Sequence, residues 1–124
     1  MIRSTFRLPV IKNAAREFSA VVKVESLKDW NTFVDVKTPF IAYFTASWCG
    51  PCRAIAPFYE ELASKNSTIR FAKVDVDEAS DLASMMRIRS VPTFYAYESD
   101  GKLASTFSGA DRKQLQESVN KLMA

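Results

Sequence analysis

Two cysteines, held apart by a glycine and a proline in Trp48-Cys49-Gly50-Pro51-Cys52, are the only thiols in the chain. A bridge between them closes too short a loop to staple a fold, so their use is local. A thiol attacks a disulfide as the thiolate, and a free cysteine with a pKa of about 8.5 is mostly protonated at neutral pH. A helix N-terminus favours the charged form through its unpaired amides and macrodipole. Ile55, Phe58, Tyr59 and Leu62 form an amphipathic helical stripe after Pro51, which sets Cys49 at such a terminus and Cys52 one turn further in. Cys49 is therefore expected to be the exposed attacking thiolate and Cys52 the resolving thiol. The spacing alone has other uses: it is half of a zinc or iron–sulfur site, and two core cysteines can share it. The chain has no histidine, so imidazole-based catalysis is excluded. A closed zinc site would need carboxylates or a second subunit to complete it; no metal is assigned.

The elements that must hold this pair alternate between strand and helix. Val21 to Val24 is a short β-branched run, and Ser26 is an N-cap candidate ahead of Leu27, Trp30, Phe33 and Val34. Phe40 to Thr45 is nearly continuous apolar sequence, the pattern of a strand covered on both faces, and it runs straight into the cysteines. The helix after them contains Pro57, which predicts a kink. Ile69 to Val76 reads as a strand, Ser80 to Arg87 as a short helix, and Val91 to Tyr97 as a strand turning at Asp100-Gly101 into Leu103 to Phe107. Asp111 and Gln114 have capping-box spacing before a last helix that turns Leu115, Val119 and Leu122 inward. The class is α/β with a mostly parallel sheet and an antiparallel C-terminal hairpin.

The cysteine motif, entered from an apolar strand and joined some forty residues later by Val91-Pro92-Thr93, resembles the thioredoxin family over residues 20–124. The resemblance implies a thioredoxin fold, a central mixed sheet flanked by helices, and a protein dithiol–disulfide oxidoreductase that works mainly as a reductant through a mixed disulfide. It implies that Trp48 shapes the docking surface and that Gly50 and Pro51 tune the pair toward the reducing end. Pro92 matches the family's cis-proline, with Val91, Pro92 and Thr93 receiving substrate and Gly109 and Ala110 completing the rim. The family usually has a buried aspartate where this chain has Tyr43, and Lys73 matches the lysine beside it. Plant mitochondrial thioredoxins of the o type are similar in this replacement. With no carboxylate there, water or the Tyr43 hydroxyl is expected to assist deprotonation of Cys52. The resemblance further implies a monomer without a cofactor of its own. Its electrons would come from an NADPH-dependent flavoprotein thioredoxin reductase, and its clients would be protein disulfides such as those of peroxiredoxins.

Residues 1–18 differ from the rest. Arg3, Arg7, Lys12 and Arg16 recur at intervals of about four against the single acid Glu17. Ile2, Phe6 and Val10 share a helical face, the composition of a mitochondrial import sequence. Arg16-Glu17-Phe18-Ser19 resembles a processing site, so 1–18 is expected to be a presequence and 19–124 the folded domain. Matrix location is the expectation, with plastid and cytoplasm as alternatives. Those residues hold four of the 17 basic side chains and one of the 14 acids, leaving a balanced body that gives no footprint for nucleic acid. No apolar run reaches the length of a membrane span.

Overall fold

Phe40–Thr45 is buried along its entire length, as its unbroken apolar sequence predicts, and forms the centre of the molecule. The computed structural model describes residues 20–123, so the expected presequence lies outside the described residues. In chain order the elements are β1 Val21–Val24, α1 Leu27–Val34, β2 Phe40–Thr45, α2 Gly50–Lys65 and β3 Arg70–Asp75. They continue with α3 Ser80–Met85, β4 Thr93–Tyr97, β5 Leu103–Ser108 and α4 Arg112–Met123. The sheet order is β1-β3-β2-β4-β5. Strands β1, β3 and β2 are parallel, β4 is antiparallel to β2, and β5 is antiparallel to β4.

Alternation along β2 divides the core into two layers. Ile41 and Tyr43 face α2 and α4, where they meet Ile55, Tyr59, Leu62, Leu115 and Val119. Phe40, Ala42 and Phe44 face the opposite way onto Trp30 and Phe33 of α1 and Leu82 of α3. Helices therefore cover both faces, which is why β2 needs no polar side. The Tyr59 hydroxyl, fully buried, donates toward the carbonyl oxygens of Ala72 (2.7 Å) and Ile41 (3.1 Å), tying α2 to β3 and β2.

Helix ends follow the sequence signals closely. Ser26 Oγ accepts the Asp29 amide at 3.1 Å, and Asp111 Oδ1 accepts the Gln114 amide at 3.0 Å. The Gln114 side chain closes on the Asp111 carboxylate itself, 3.0 Å away. Helix α2 runs through Pro57 as one element. Helix α3 stops at Met85, short of the expected Arg87, because the chain turns left-handed at Arg87 with φ 56°. Strand β4 begins at Thr93, not Val91, since Pro92 offers no amide to a ladder. Gly101, with φ 88°, makes the β4–β5 turn.

The Tyr59 anchor is testable. Tyr59→Phe keeps the ring and removes the hydroxyl that serves both strands, and it should lower stability by roughly 1–3 kcal/mol. Urea unfolding should show this as a lower midpoint at unchanged slope; an unchanged midpoint would show that the hydroxyl contributes nothing.

Candidate active site

Cys49 is the N-cap of α2. The chain leaves β2 at Thr45 and turns back on itself, with the Cys49 amide donating to the Ala46 carbonyl at 3.2 Å. The Cys49 sulfur then accepts the Cys52 amide at 3.1 Å, the bond a serine or aspartate cap would otherwise make. Pro51 falls in the first turn, where its missing amide costs nothing. Gly50 points into open space, and a Cβ there would touch nothing. The two cysteines are bonded as a disulfide with Cα atoms 5.3 Å apart.

The expectation of an exposed Cys49 is corrected. Cys49 is 4% exposed and Cys52 1%, because Ala46, Val76 and Val91 close around the sulfurs. The Cys49 sulfur lies 3.8 Å from the Val91 carbonyl oxygen. The Val91-Pro92 peptide is cis, as expected from the motif, and it brings this carbonyl to the cysteine. Gly109, at φ 103°, donates its amide to the Pro92 carbonyl at 2.8 Å and so joins the β5–α4 corner to the same rim, with Ala110 exposed beside it. Only glycine adopts that φ without strain. Thr93 departs from the expected substrate-facing role. It is buried, and its hydroxyl donates to the Ser90 carbonyl (2.7 Å) and meets Ser108 Oγ (2.9 Å), so it braces the loop from within.

Trp48 is 67% exposed beside the disulfide. Its indole N–H donates to Asp77 Oδ2 at 2.9 Å, which fixes the ring against the turn after β3. A small groove of about 120 Å³ runs between Trp48, Val76, Ile88 and Val91. Sequence reasoning passed over Asp77 and Asp75, although an acid-rich turn directly after a buried strand was a signal available in Val74-Asp75-Val76-Asp77-Glu78.

Tyr43 stands on the α2 side of the sheet, buried, stacked on Phe94 with centroids 4.9 Å apart and tilted against Tyr59. Its hydroxyl donates to the Cys52 carbonyl oxygen at 2.9 Å. Burial pushes its pKa above the ordinary tyrosine value, with the Thr45 hydroxyl partly offsetting this. A phenol that is neutral at physiological pH and already donating its proton is not the base for Cys52, so the expected help from this hydroxyl is replaced by a structural role. Lys73 neighbours Tyr43 in register on β3. Both line a cleft of about 330 Å³ into which Cys52 also faces.

A disulfide spanning the first turn of a helix, beside a cis-proline loop and an exposed indole, defines a thiol–disulfide oxidoreductase site. The Thioredoxin family model matches residues 20–121, and the chain belongs to the thioredoxin family. Thioredoxin H-type of Ricinus communis is 40% identical over 114 residues, covering 89% of this chain and 96% of the relative. The Fasciola hepatica thioredoxin structure superposes with TM-score 0.76 at 34% identity, covering 81% of this chain and 97% of that one. Mitochondrial thioredoxin 3 of Saccharomyces cerevisiae, in its oxidised form, gives TM-score 0.76 at 29% identity, with 83% and 96% covered. As a thioredoxin, the chain is a dithiol–disulfide oxidoreductase, and the family implies a thioredoxin reductase as electron donor and protein disulfides as clients.

The buried phenols make an alkaline signature. Tyr43 and Tyr59 are raised by burial and Tyr97 is pushed up to about 12, also by burial. Neutral phenols are favoured in the folded state, so this contribution to stability is complete below the free tyrosine value of about 10 and is lost as pH rises through the folded values. Absorbance titration should show these three phenols ionising late and together with alkaline unfolding. Two or more of the four phenols titrating near 10 in the folded protein would contradict the burial.

Proposed function

We propose that this thioredoxin reduces protein disulfides in the mitochondrial matrix, with Cys49 as the attacking thiolate and Cys52 as the resolving thiol. The observation that carries the reading is the position of the Cys49 sulfur at the N-cap of α2, 3.8 Å from the Val91 carbonyl. Amide donation and the helix dipole favour a thiolate there. The flanking Val91 backbone, kept free of the sheet by Pro92, suits pairing with an extended client segment. In the reduced protein, Cys49 attacks one sulfur of the client disulfide, and the other client sulfur leaves and takes up a proton. Cys52 then attacks Cys49, releasing the second client sulfur and leaving the protein oxidised.

The small residual exposure of Cys49 fits a client that docks over Trp48, Val91, Gly109 and Ala110, with the expected contact residue Pro92 buried beneath this rim, and meets the sulfur at close range. A monomer suits such a surface. Peroxiredoxins are the proposed client class and an NADPH-dependent flavoprotein reductase the proposed donor; flavin and nicotinamide belong to that donor. Matrix location rests on the basic, acid-poor residues 1–18 and on the likeness to yeast mitochondrial thioredoxin 3. The o-type affinity rests on Tyr43.

Two experiments test this reading. Cys49→Ser should abolish dithiothreitol-dependent insulin reduction, whereas Cys52→Ser should accumulate a mixed disulfide visible on non-reducing gels; retained activity in Cys49→Ser would refute the assignment. The full chain presented to isolated mitochondria should become protease-protected and shortened near Phe18 or Ser19. Exclusion from mitochondria, or uptake by plastids in its place, would overturn the location.

A further inference from the structure

Cys52 must lose a proton before it can attack, and Tyr43 does not accept it. The cleft that reaches Cys52 lies on the α2 face of the sheet. Tyr43 and Thr45 of β2 alternate onto that face, and their register partners Lys73 and Asp75 of β3 share it. At about 330 Å³ the cleft has room for several waters, each taking about 30 Å³ in the liquid.

The titratable and charged groups on its wall come from every surrounding element: Lys23 from β1, Tyr43 from β2, Lys73 and Asp75 from β3, Arg53 from α2 and Glu78 from the turn after β3. The three cations have no lone pair to offer a proton. Arg53 is in any case committed to the Ser47 carbonyl at 2.6 Å, and Lys23 to Glu25 at 3.5 Å. That leaves the two carboxylates. Glu78 is exposed. Asp75 is half-buried, and its Oδ1 accepts the amides of Asp77 (2.8 Å) and Glu78 (3.2 Å), which pins the carboxylate at the end of β3. Its Oδ2 has no partner among the described residues.

We propose that Asp75 receives the Cys52 proton, through water in the cleft, as Cys52 resolves the mixed disulfide. The inference rests on the resolving role proposed for Cys52. The Cys52 S–H bond breaks and its proton passes through water to the Asp75 carboxylate, while the sulfur forms a bond to Cys49. The bond between Cys49 and the client sulfur breaks, and that sulfur leaves with the electron pair and takes a proton from solvent. Asp75 then returns its own proton to solvent.

Stopped-flow reaction of the reduced protein with 5,5′-dithiobis(2-nitrobenzoate) separates the steps, because the first thionitrobenzoate leaves on Cys49 attack and the second on Cys52 resolution. Asp75→Asn keeps Oδ1 for the two amides and removes only the basic oxygen. Its first phase should match the unsubstituted protein. Its second phase should be slower by about tenfold or more near pH 7, at or below the low end of general-base effects, and should converge with the unsubstituted protein toward pH 9. Equal second phases from pH 6 to 9, an equal slowing of both phases, or a slowing found in Glu78→Gln but not Asp75→Asn would overturn the inference. Release of a single equivalent by the unsubstituted protein, with the thionitrobenzoate mixed disulfide on Cys49 persisting at every pH, would instead overturn the resolving role itself.

Discussion

A single sulfur both caps the central helix and carries the redox chemistry. Cys49 accepts the Cys52 amide at the start of α2, so the first turn of the helix and the reactive group are one structure. Sulfur is a weak acceptor when neutral and a stronger one when charged, so ionisation tightens the cap that favours it. This works only if α2 is held rigidly where its first turn meets the Val91 loop. Burial of Ile55, Tyr59 and Leu62 against the sheet does most of that, and two phenols fasten the helix at separate points. Tyr59 reaches the carbonyls of β2 and β3, and Tyr43 reaches the Cys52 carbonyl.

Tyr43 shows what a buried tyrosine does in place of a buried acid. A carboxylate on this face would need either a charged partner or a shifted pKa to tolerate burial. The phenol avoids both demands by stacking on Phe94 and Tyr59 and spending its one donor on a backbone oxygen. The helix start gains an anchor and loses a proton acceptor. Proton transfer then has to run through the side of the site that water reaches, which is the cleft between Cys52 and the end of β3.

The sequence disclosed the architecture because the architecture rests on periodicity. Phe40 to Thr45 read as a doubly covered strand, the stripe from Ile55 to Leu62 as a helix, and Ser26 and Asp111 as caps; each was found where expected. Local pattern fails where three-dimensional enclosure decides the outcome. Cys49 looked exposed because helix termini usually are, yet Ala46, Val76 and Val91 arrive from three different segments to cover it. Thr93 sits one residue past the cis-proline, and only the proximity of Ser90 and Ser108 turns its hydroxyl inward. Asp77 could not be paired with Trp48 by spacing alone, because 29 residues separate them and the contact depends on the β3 turn folding over the cysteine loop.

The two sulfurs, though bonded to each other, have different surroundings, and the sheet explains why. The Val91 carbonyl approaches Cys49 from the loop ahead of β4, on the side where Trp48 and Ile88 border a small groove that Arg89 and Ser90 also line. Cys52, one turn deeper, borders the cleft floored by Tyr43, Lys73 and Asp75, residues that strand alternation brings to the α2 face from β2 and β3. A client covering the first surface need not cover the second. The attacking sulfur can thus be desolvated by the partner it reacts with, while the resolving cysteine, itself buried, borders a separate cleft with charged walls. Four residues of β2 and β3, fixed in register by the parallel ladder, are enough to maintain that separation.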